Sequence, residues 1–306
     1  MNAGGARAVE VAAQAKVNLR LHILAREATG FHQLETLFLR LELADTIRIR
    51  RTSGERSIDV TGDGDLSNIG PPERNLAWRA AEMYFDASEM RGGFAIEITK
   101  RIPIGGGLGG GSADAGAVLR ALDAMSDYPD GAPRLMWLAA QLGADVPFLT
   151  SEHAYALAWG RGERMLALDP PPSRQVLLVV PQFSVNTASA YEWLAAWRTA
   201  HEGGRRDPLA LDREALSDWD RLAPLARNDF EWMMTERYPE IAEHVAMLSS
   251  LGCKVSMMSG SGSTVFGVGV PENLDLADAL FGPENERPRY ILTQTASRVE
   301  PVSVIE

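Results

Sequence analysis

Pro103-Ile104-Gly105-Gly106-Gly107-Leu108-Gly109-Gly110-Gly111-Ser112-Ala113-Asp114 places six glycines between two patterned segments. Upstream, Phe94, Ile96 and Ile98 alternate with Ala95, Glu97 and Thr99, the period of a half-buried strand. Downstream, Ala115, Val118, Leu119, Leu122 and Met125 recur at helical spacing. Ser112 or Asp114 is a candidate to satisfy the free amides of that helix's first turn. A strand, a loop without side chains and a helix N-terminus together form an anion cradle, because amides and helix dipole both favour negative charge. Phosphate is the expected guest.

Other glycine-rich readings fit less well. Gly105-x-Gly107-x-x-Gly110 matches the spacing of the dinucleotide fingerprint. The residues about twenty positions on, Ser126 to Gly131, read as a loop and supply no strand-end acid for a ribose. A Walker A loop would need a lysine where Ser112 stands. A flexible connector would be richer in serine and would not be clamped between two patterned elements.

Composition narrows the partners. The chain has 306 residues, 30 Lys and Arg against 41 Asp and Glu, and a net charge of -11. That balance argues against a nucleic acid or an anionic membrane as partner. Cys253 is the only cysteine, which excludes a disulfide framework and a cysteine metal site. No apolar run is long enough to span a bilayer, and Met1 to Gln14 lacks the basic-then-apolar order of a signal peptide, so a cytoplasmic location is expected. Lysine occurs only at Lys16, Lys100 and Lys254. Either these are chance survivals on a surface or they mark places that need a compact ammonium.

The rest of the chain reads as α+β. Val9–Val11, Ala15–Ile23 and Thr46–Arg50 read as strands, Thr61–Pro72 as a loop and Asn75–Phe85 as a helix. Lys16 and Asn18, two apart, share a strand face. A helix with Leu135, Leu138, Ala139 and Leu142 inside is expected to end at Gly143 as a left-handed C′ glycine. Asp145 follows at once, either as an acid or base facing a cleft or as the cap of the segment starting at Pro147. Pro170-Pro171-Pro172 marks a boundary, predicting domains at 1–168 and 169–306. Beyond it come a strand at Val176–Val180, helices over Ala188–Trp197 and Asp229–Leu251, strands at Lys254–Met258 and Val265–Val270, and a last strand at Tyr290–Thr295. Trp193, Trp197 and Trp232 are expected in the core, and His22, His153, His201 and His244 as structural or surface residues. Ser259 to Ser263 is either a tight link or a turn that approaches a ligand.

Three segments together resemble the motifs of the GHMP kinases: Ala15-Lys16-Val17-Asn18-Leu19, Pro103 to Ser112, and Met258 to Thr264. Gly30-Phe31-His32, Glu35 to Phe38, Leu142 to Phe148 and Gly160 to Glu163 resemble the branch that phosphorylates a cytidine-diphosphate-linked methylerythritol on the non-mevalonate route to isoprenoid precursors. The resemblance implies a two-domain α+β fold, with a ribosomal-protein-S5-like N-terminal domain, a ferredoxin-like α/β C-terminal domain and the site between them. ATP and Mg2+ are implied, the phosphates lying on Pro103, Ile104, Gly105, Gly106, Gly107, Leu108, Gly109, Gly110, Gly111, Ser112 and Ala113, the adenine near Asn75, Leu76 and Lys100. Ser112 is the candidate magnesium ligand. Asp145 would take the proton of the acceptor hydroxyl, with Lys16 offsetting charge. Asn18, Phe31, His32, Thr187, Tyr191, Gly260 and Ser261 would bind the acceptor, Phe31 stacking on cytosine where the family usually has tyrosine. A small-molecule substrate and a monomer or weak homodimer complete the expectation. The stretch before Ala15 carries no readable function.

Overall fold

The computed structural model describes residues 7–27, 32–62, 66, 70–201, 212–271 and 288–305. Its strands are β1 (Ala8–Arg26), β2 (His32–Thr52), β3 (Ser57–Gly62), β4 (Gly93–Lys100), β5 (Tyr155–Gly160), β6 (Arg164–Ala167), β7 (Gln175–Val180), β8 (Arg227–Asn228), β9 (Val255–Met258), β10 (Val265–Val268), β11 (Arg289–Gln294) and β12 (Ser303–Val304). Its helices are α1 (Leu76–Ala87), α2 (Gly110–Met125), α3 (Ala132–Leu142), α4 (Val146–Thr150), α5 (Thr187–Ala200), α6 (Arg213–Leu216), α7 (Trp219–Leu222), α8 (Glu231–Arg237) and α9 (Pro239–Ser250).

Two sheets organise the molecule. In the first the path runs β12-β1-β2-β4-β3, with β5 also on β2, β6 on β5 and β8 on β1. The expected pair of opening strands is one continuous strand, whose pairing with β2 is irregular between Gln14 and Lys16, where the extra residues lie on β2, and between Asn18 and Arg20 and between Ile23 and Arg26, where they lie on β1. Such bulges re-aim side chains. They isolate a short register in which Lys16 faces Arg40, Val17 faces Leu39 and Asn18 faces Phe38. The irregularity opposite Ala15 also separates two parts of β2: Leu34–Leu39 pairs with β5, and Thr46–Thr52 pairs with β4. Thr61 and Gly62, expected in a loop, end β3, which lies parallel to β4.

Helices α1, α2 and α3 cover the first sheet, and their apolar stripes bury Ala80, Tyr84, Leu119, Leu122 and Leu138 against Phe94, Ile96 and Ile98. The second sheet, β11-β7-β10-β9, is antiparallel throughout. Leu177, Val179 and Val265 from it pack with Leu194, Met233, Ile241 and Leu248 of α5, α8 and α9. The two sheets lie on either side of residue 168, but β8 and β12, from beyond it, add to the first sheet. Trp193 and Trp197 pack partly buried on the second core, whereas Trp232, expected inside, is 59% exposed. Among the described residues no helix is long and apolar enough to cross a membrane.

Candidate active site

The glycine loop joins β4 to α2 with three residues in the left-handed region: Gly105 at φ +73°, Gly107 at +79° and Gly109 at +74°. Gly109 flanks α2 and no side chain caps it. The capping expected of Ser112 or Asp114 does not occur, because α2 begins at Gly110, ahead of both, and Asp114 turns inward to Lys100. Among the described residues, the first amides of α2 are thereby left without a side-chain partner, the arrangement that binds an anion.

Glycine is required here for a second reason. A Cβ on Gly106 would stand 2.4 Å from Thr264 Oγ1, and one on Gly107 2.2 Å from the Ser259 carbonyl oxygen. The turn at Ser259–Ser263 is packed against the loop: Ser259 Oγ donates to the Gly107 carbonyl (2.9 Å) and Thr264 N to the Gly106 carbonyl (3.2 Å). Asn228 holds that turn from behind, its Nδ2 donating to the Met258 (2.9 Å) and Gly260 (2.7 Å) carbonyls.

Lys16 binds the loop through its backbone, with its amide donating to the Leu108 carbonyl at 3.0 Å. Its ammonium lies 3.1 Å from Asp145 Oδ2 and donates to Asn18 Oδ1 at 2.7 Å, which bears out the shared strand face. Asn18 Nδ2 donates to Thr36 Oγ1 and Thr36 Oγ1 to the Arg20 carbonyl, so Asn18 is oriented by a chain of bonds. Asp145 stands directly before α4 but makes no capping bond with its side chain. Gly143, expected as a left-handed C′ residue, has φ 164°, so α3 ends in extended backbone that leads straight to Asp145. The Lys16 side chain is 3% exposed and that of Asp145 31%, so the ammonium is enclosed while the carboxylate stays open to the cleft.

That cleft, about 420 Å³, is lined by Lys16, Asn18, Asp145, Pro103, Gly105 to Ser112, Thr187, Gly260 and Ser261. The Thr187 and Ser261 hydroxyls lie 3.1 Å apart across it. A second cavity of about 930 Å³ holds Arg26, His32, Pro147, Arg161 and Glu192. Leu34, Ala144 and Tyr191 line both, making one trough. In it His32 and Tyr191 stack, ring centres 4.4 Å apart at 19°, and Tyr191 meets Phe230 edge-on. Burial, with Arg26 and Arg198 nearby, lowers the His32 pKa, favouring the neutral ring. Burial and the Asp145 charge push the Tyr191 hydroxyl up to about 12. Phe31 lies outside the described residues.

Four expected nucleotide contacts do not line this cleft. Ile104 faces outward, Ala113 is buried, and Asn75 caps α1 by accepting from Ala77 N. Lys100 is the clearest departure: its ammonium is buried between Asp45 (2.5 Å) and Asp114 (2.7 Å) and is not free to meet a base. Asp45 also accepts from the Arg101 and Ile102 amides, at 2.5 and 2.8 Å. Asp45 and Asn228 carry no local signal, since each acts on a partner far along the chain. His22 is structural, buried between Arg20 and Asp229.

Comparison with known proteins agrees with this arrangement. The model of the GHMP kinases N terminal domain matches residues 75–153, and that of the GHMP kinases C terminal domain residues 211–281. The 4-diphosphocytidyl-2-C-methyl-D-erythritol kinase of Solibacter usitatus is 38% identical over 265 residues, 86% of this chain and 81% of the relative. That of Citrifermentans bemidjiense is 38% identical over 260 residues, 85% and 89% of the two chains. A crystal structure of 4-(cytidine 5'-diphospho)-2C-methyl-D-erythritol kinase superposes with a TM-score of 0.69 at 33% identity, covering 94% of this chain and 99% of the other. Homoserine kinase from Cytophaga hutchinsonii shares the fold, with a TM-score of 0.70 at 17% identity and 98% of each chain covered. On the family models, these relatives and the shared two-domain α+β fold, the chain belongs to the GHMP kinases, in the family of the 4-diphosphocytidyl-2-C-methyl-D-erythritol kinases.

Proposed function

We propose that the chain transfers the γ-phosphoryl group of ATP to the 2-hydroxyl of 4-diphosphocytidyl-2-C-methyl-D-erythritol. The observation that carries the reading is the Lys16–Asp145 pair, 3.1 Å apart, in the same cleft as the uncapped start of α2. The relatives' activity supplies the acceptor. Residues 1–168 and 169–306 act as two lobes with this cleft between them, the second reaching back to the first through β8 and β12.

The chemistry follows from positions. The loop amides and the α2 dipole neutralise the β- and γ-phosphates, where phosphoryl transfer develops its charge. The acceptor oxygen attacks the γ-phosphorus, the bond from that phosphorus to the bridging oxygen breaks, and ADP leaves. The proton of the acceptor hydroxyl passes to the Asp145 carboxylate, and Lys16 holds that carboxylate and the attacking oxygen in line. Tyr191, with His32 stacked on it in the second cavity, offers the face on which the cytosine of the acceptor lies beside the His32 ring. The neutral ring of His32 carries one donor and one acceptor nitrogen for the edge of the base.

A magnesium ion bound with the nucleotide would offset the negative charge of the phosphates at the loop. Among the described residues no three acidic, His or Cys side chains gather as a metal cage. A magnesium ion that keeps its waters and takes phosphate oxygens needs only one or two protein ligands. Ser112, on the first turn of α2 and lining the cleft, is the candidate.

The test is ADP release from Mg-ATP by the purified protein with the cytidine compound, homoserine, mevalonate or galactose. Release stimulated by the cytidine compound alone supports the proposal. Stimulation by another alcohol keeps the kinase and discards the base-binding face, and no stimulation with ATP still bound would leave a metabolite sensor.

A further inference from the structure

Arg40 is the largest fully buried side chain among the described residues, 1% exposed. Burial pushes its pKa well down, and the Arg120 charge adds to the effect. Among the described residues no carboxylate forms an ion pair with it. Its guanidinium instead donates to three backbone carbonyls: Phe148 (2.8 Å) and Ser151 (3.0 Å) through Nη2, and His153 (3.0 Å) through Nε. Those carbonyls are the C-terminal end of α4 and the residues just past it, where helix carbonyls lack partners and a cation is favoured.

The other end of this single-turn helix is Asp145, whose carbonyl accepts from the Leu149 amide at 3.1 Å. Arg40 is also the direct cross-strand partner of Lys16 in the short register between two irregularities of the β1–β2 pairing. The space between the two cations is filled by a stack. The Arg40 guanidinium lies 5.0 Å from the Phe148 ring centre, Phe148 stacks on Phe38 at 4.8 Å, and the Lys16 ammonium lies 5.5 Å from Phe38. On the far side α4 is wedged by α2, since a Cβ on Gly116 would come within 2.6 Å of the Leu149 carbonyl. One strand pair therefore sets both members of the site pair, Lys16 directly and Asp145 through Arg40 and α4.

We propose that Arg40 is a positioning residue for phosphoryl transfer, holding α4 so that the Asp145 carboxylate stays on the Lys16 ammonium. The proposal rests on the reading of Asp145 as the base. Removing the guanidinium frees α4 to shift, and a displacement of about 1 Å in a reacting group costs up to about 10²-fold in rate.

The experiment measures kcat and both KM values for Arg40→Met, Asp145→Asn and the double variant, with thermal melting as a check on folding. The expected result for Arg40→Met is a kcat lower by roughly 10- to 100-fold, with KM for ATP and for the acceptor within about twofold. In the Asp145→Asn background the same change should cost less than about twofold, because the base it positions is gone. An equal loss in both backgrounds, or a rise in KM that accounts for the loss, overturns the proposal while leaving Asp145 as base. Near-normal turnover of Asp145→Asn removes the base and the proposal together. Should Arg40→Met not fold, Arg40→Lys carries the test. Its ammonium keeps the charge but cannot reproduce the planar fork, so kcat should fall roughly 3- to 10-fold at constant KM. Full turnover of Arg40→Lys overturns the proposal.

Discussion

Ser259 Oγ donates to the carbonyl of Gly107 at 2.9 Å, across 152 positions of sequence. The two glycine-rich turns are therefore one unit, and the glycine loop takes its shape from contact with the second sheet as well as from its own residues. Gly107 shows the constraint most directly: it has φ +79° and no room for a Cβ on the Ser259 side.

Gly107→Ala should therefore lose on two counts. A left-handed alanine costs about 1–2 kcal/mol, and the overlap with the Ser259 carbonyl pushes the two turns apart. The expected outcome is a lower melting temperature and a KM for ATP raised about tenfold or more, the equivalent of about 1.4 kcal/mol. Gly131→Ala is the control, with φ +75° but nothing within 4 Å of its Cβ. It should lower stability alone, and an equal rise in its KM for ATP would show that loop contact is not the cause.

Asp145→Asn separates binding from chemistry. The change keeps the shape and leaves the glycine loop untouched, so ATP affinity should stay within about twofold of wild type. Turnover should fall about 10²-fold or more, the usual contribution of a positioned base. Equilibrium binding of ATP and steady-state turnover on the same preparation decide it.

Tyr191 tests the acceptor face. Tyr191→Ala removes the ring stacked on His32 and should raise the KM for the cytidine acceptor about tenfold, with the KM for ATP unchanged, since an aromatic stack is worth about 1–3 kcal/mol per base. Tyr191→Phe keeps the ring and should retain most of the affinity. Because the His32 pKa is lowered, the acceptor KM should be flat from pH 8 down to about 6.5 and rise only below it. A rise already under way at pH 7.5 would mean that another group titrates there.

These residues also show what a single sequence can carry. The glycine loop, the Lys16–Asn18 face and the strand-loop-helix order were legible because period and spacing are local properties. The cap question at Asp145 was not, because local sequence fits both outcomes and the ammonium that holds the carboxylate comes from a strand 129 residues earlier. Resemblance puts Lys100 beside the adenine, while its partners in the structure, Asp45 and Asp114, lie 55 residues before it and 14 after. Two-residue strands such as β8 and β12 have no period to detect. Trp232 shows the opposite failure: helical spacing alone does not say which face turns inward.

The buried cluster beside the loop gives the last prediction. Asp45 and Asp114 share one ammonium, and Asp114 Oδ1 has no hydrogen-bond partner among the described residues. Burial pushes the Asp114 carboxyl up to about 7, with Lys100 opposing the shift and Asp45 adding to it. An acid whose pKa is higher folded than unfolded holds its proton in the native state where the unfolded chain has released it. Its contribution to stability is then complete at low pH and is lost as the pH rises from about 4 towards 7. Asp114→Asn, nearly isosteric, has no such titration. The melting temperature of the wild type minus that of Asp114→Asn should accordingly fall between pH 5 and pH 8. A difference that grows over that interval would mean that Asp114 is ionised throughout and that the Lys100 charge outweighs burial.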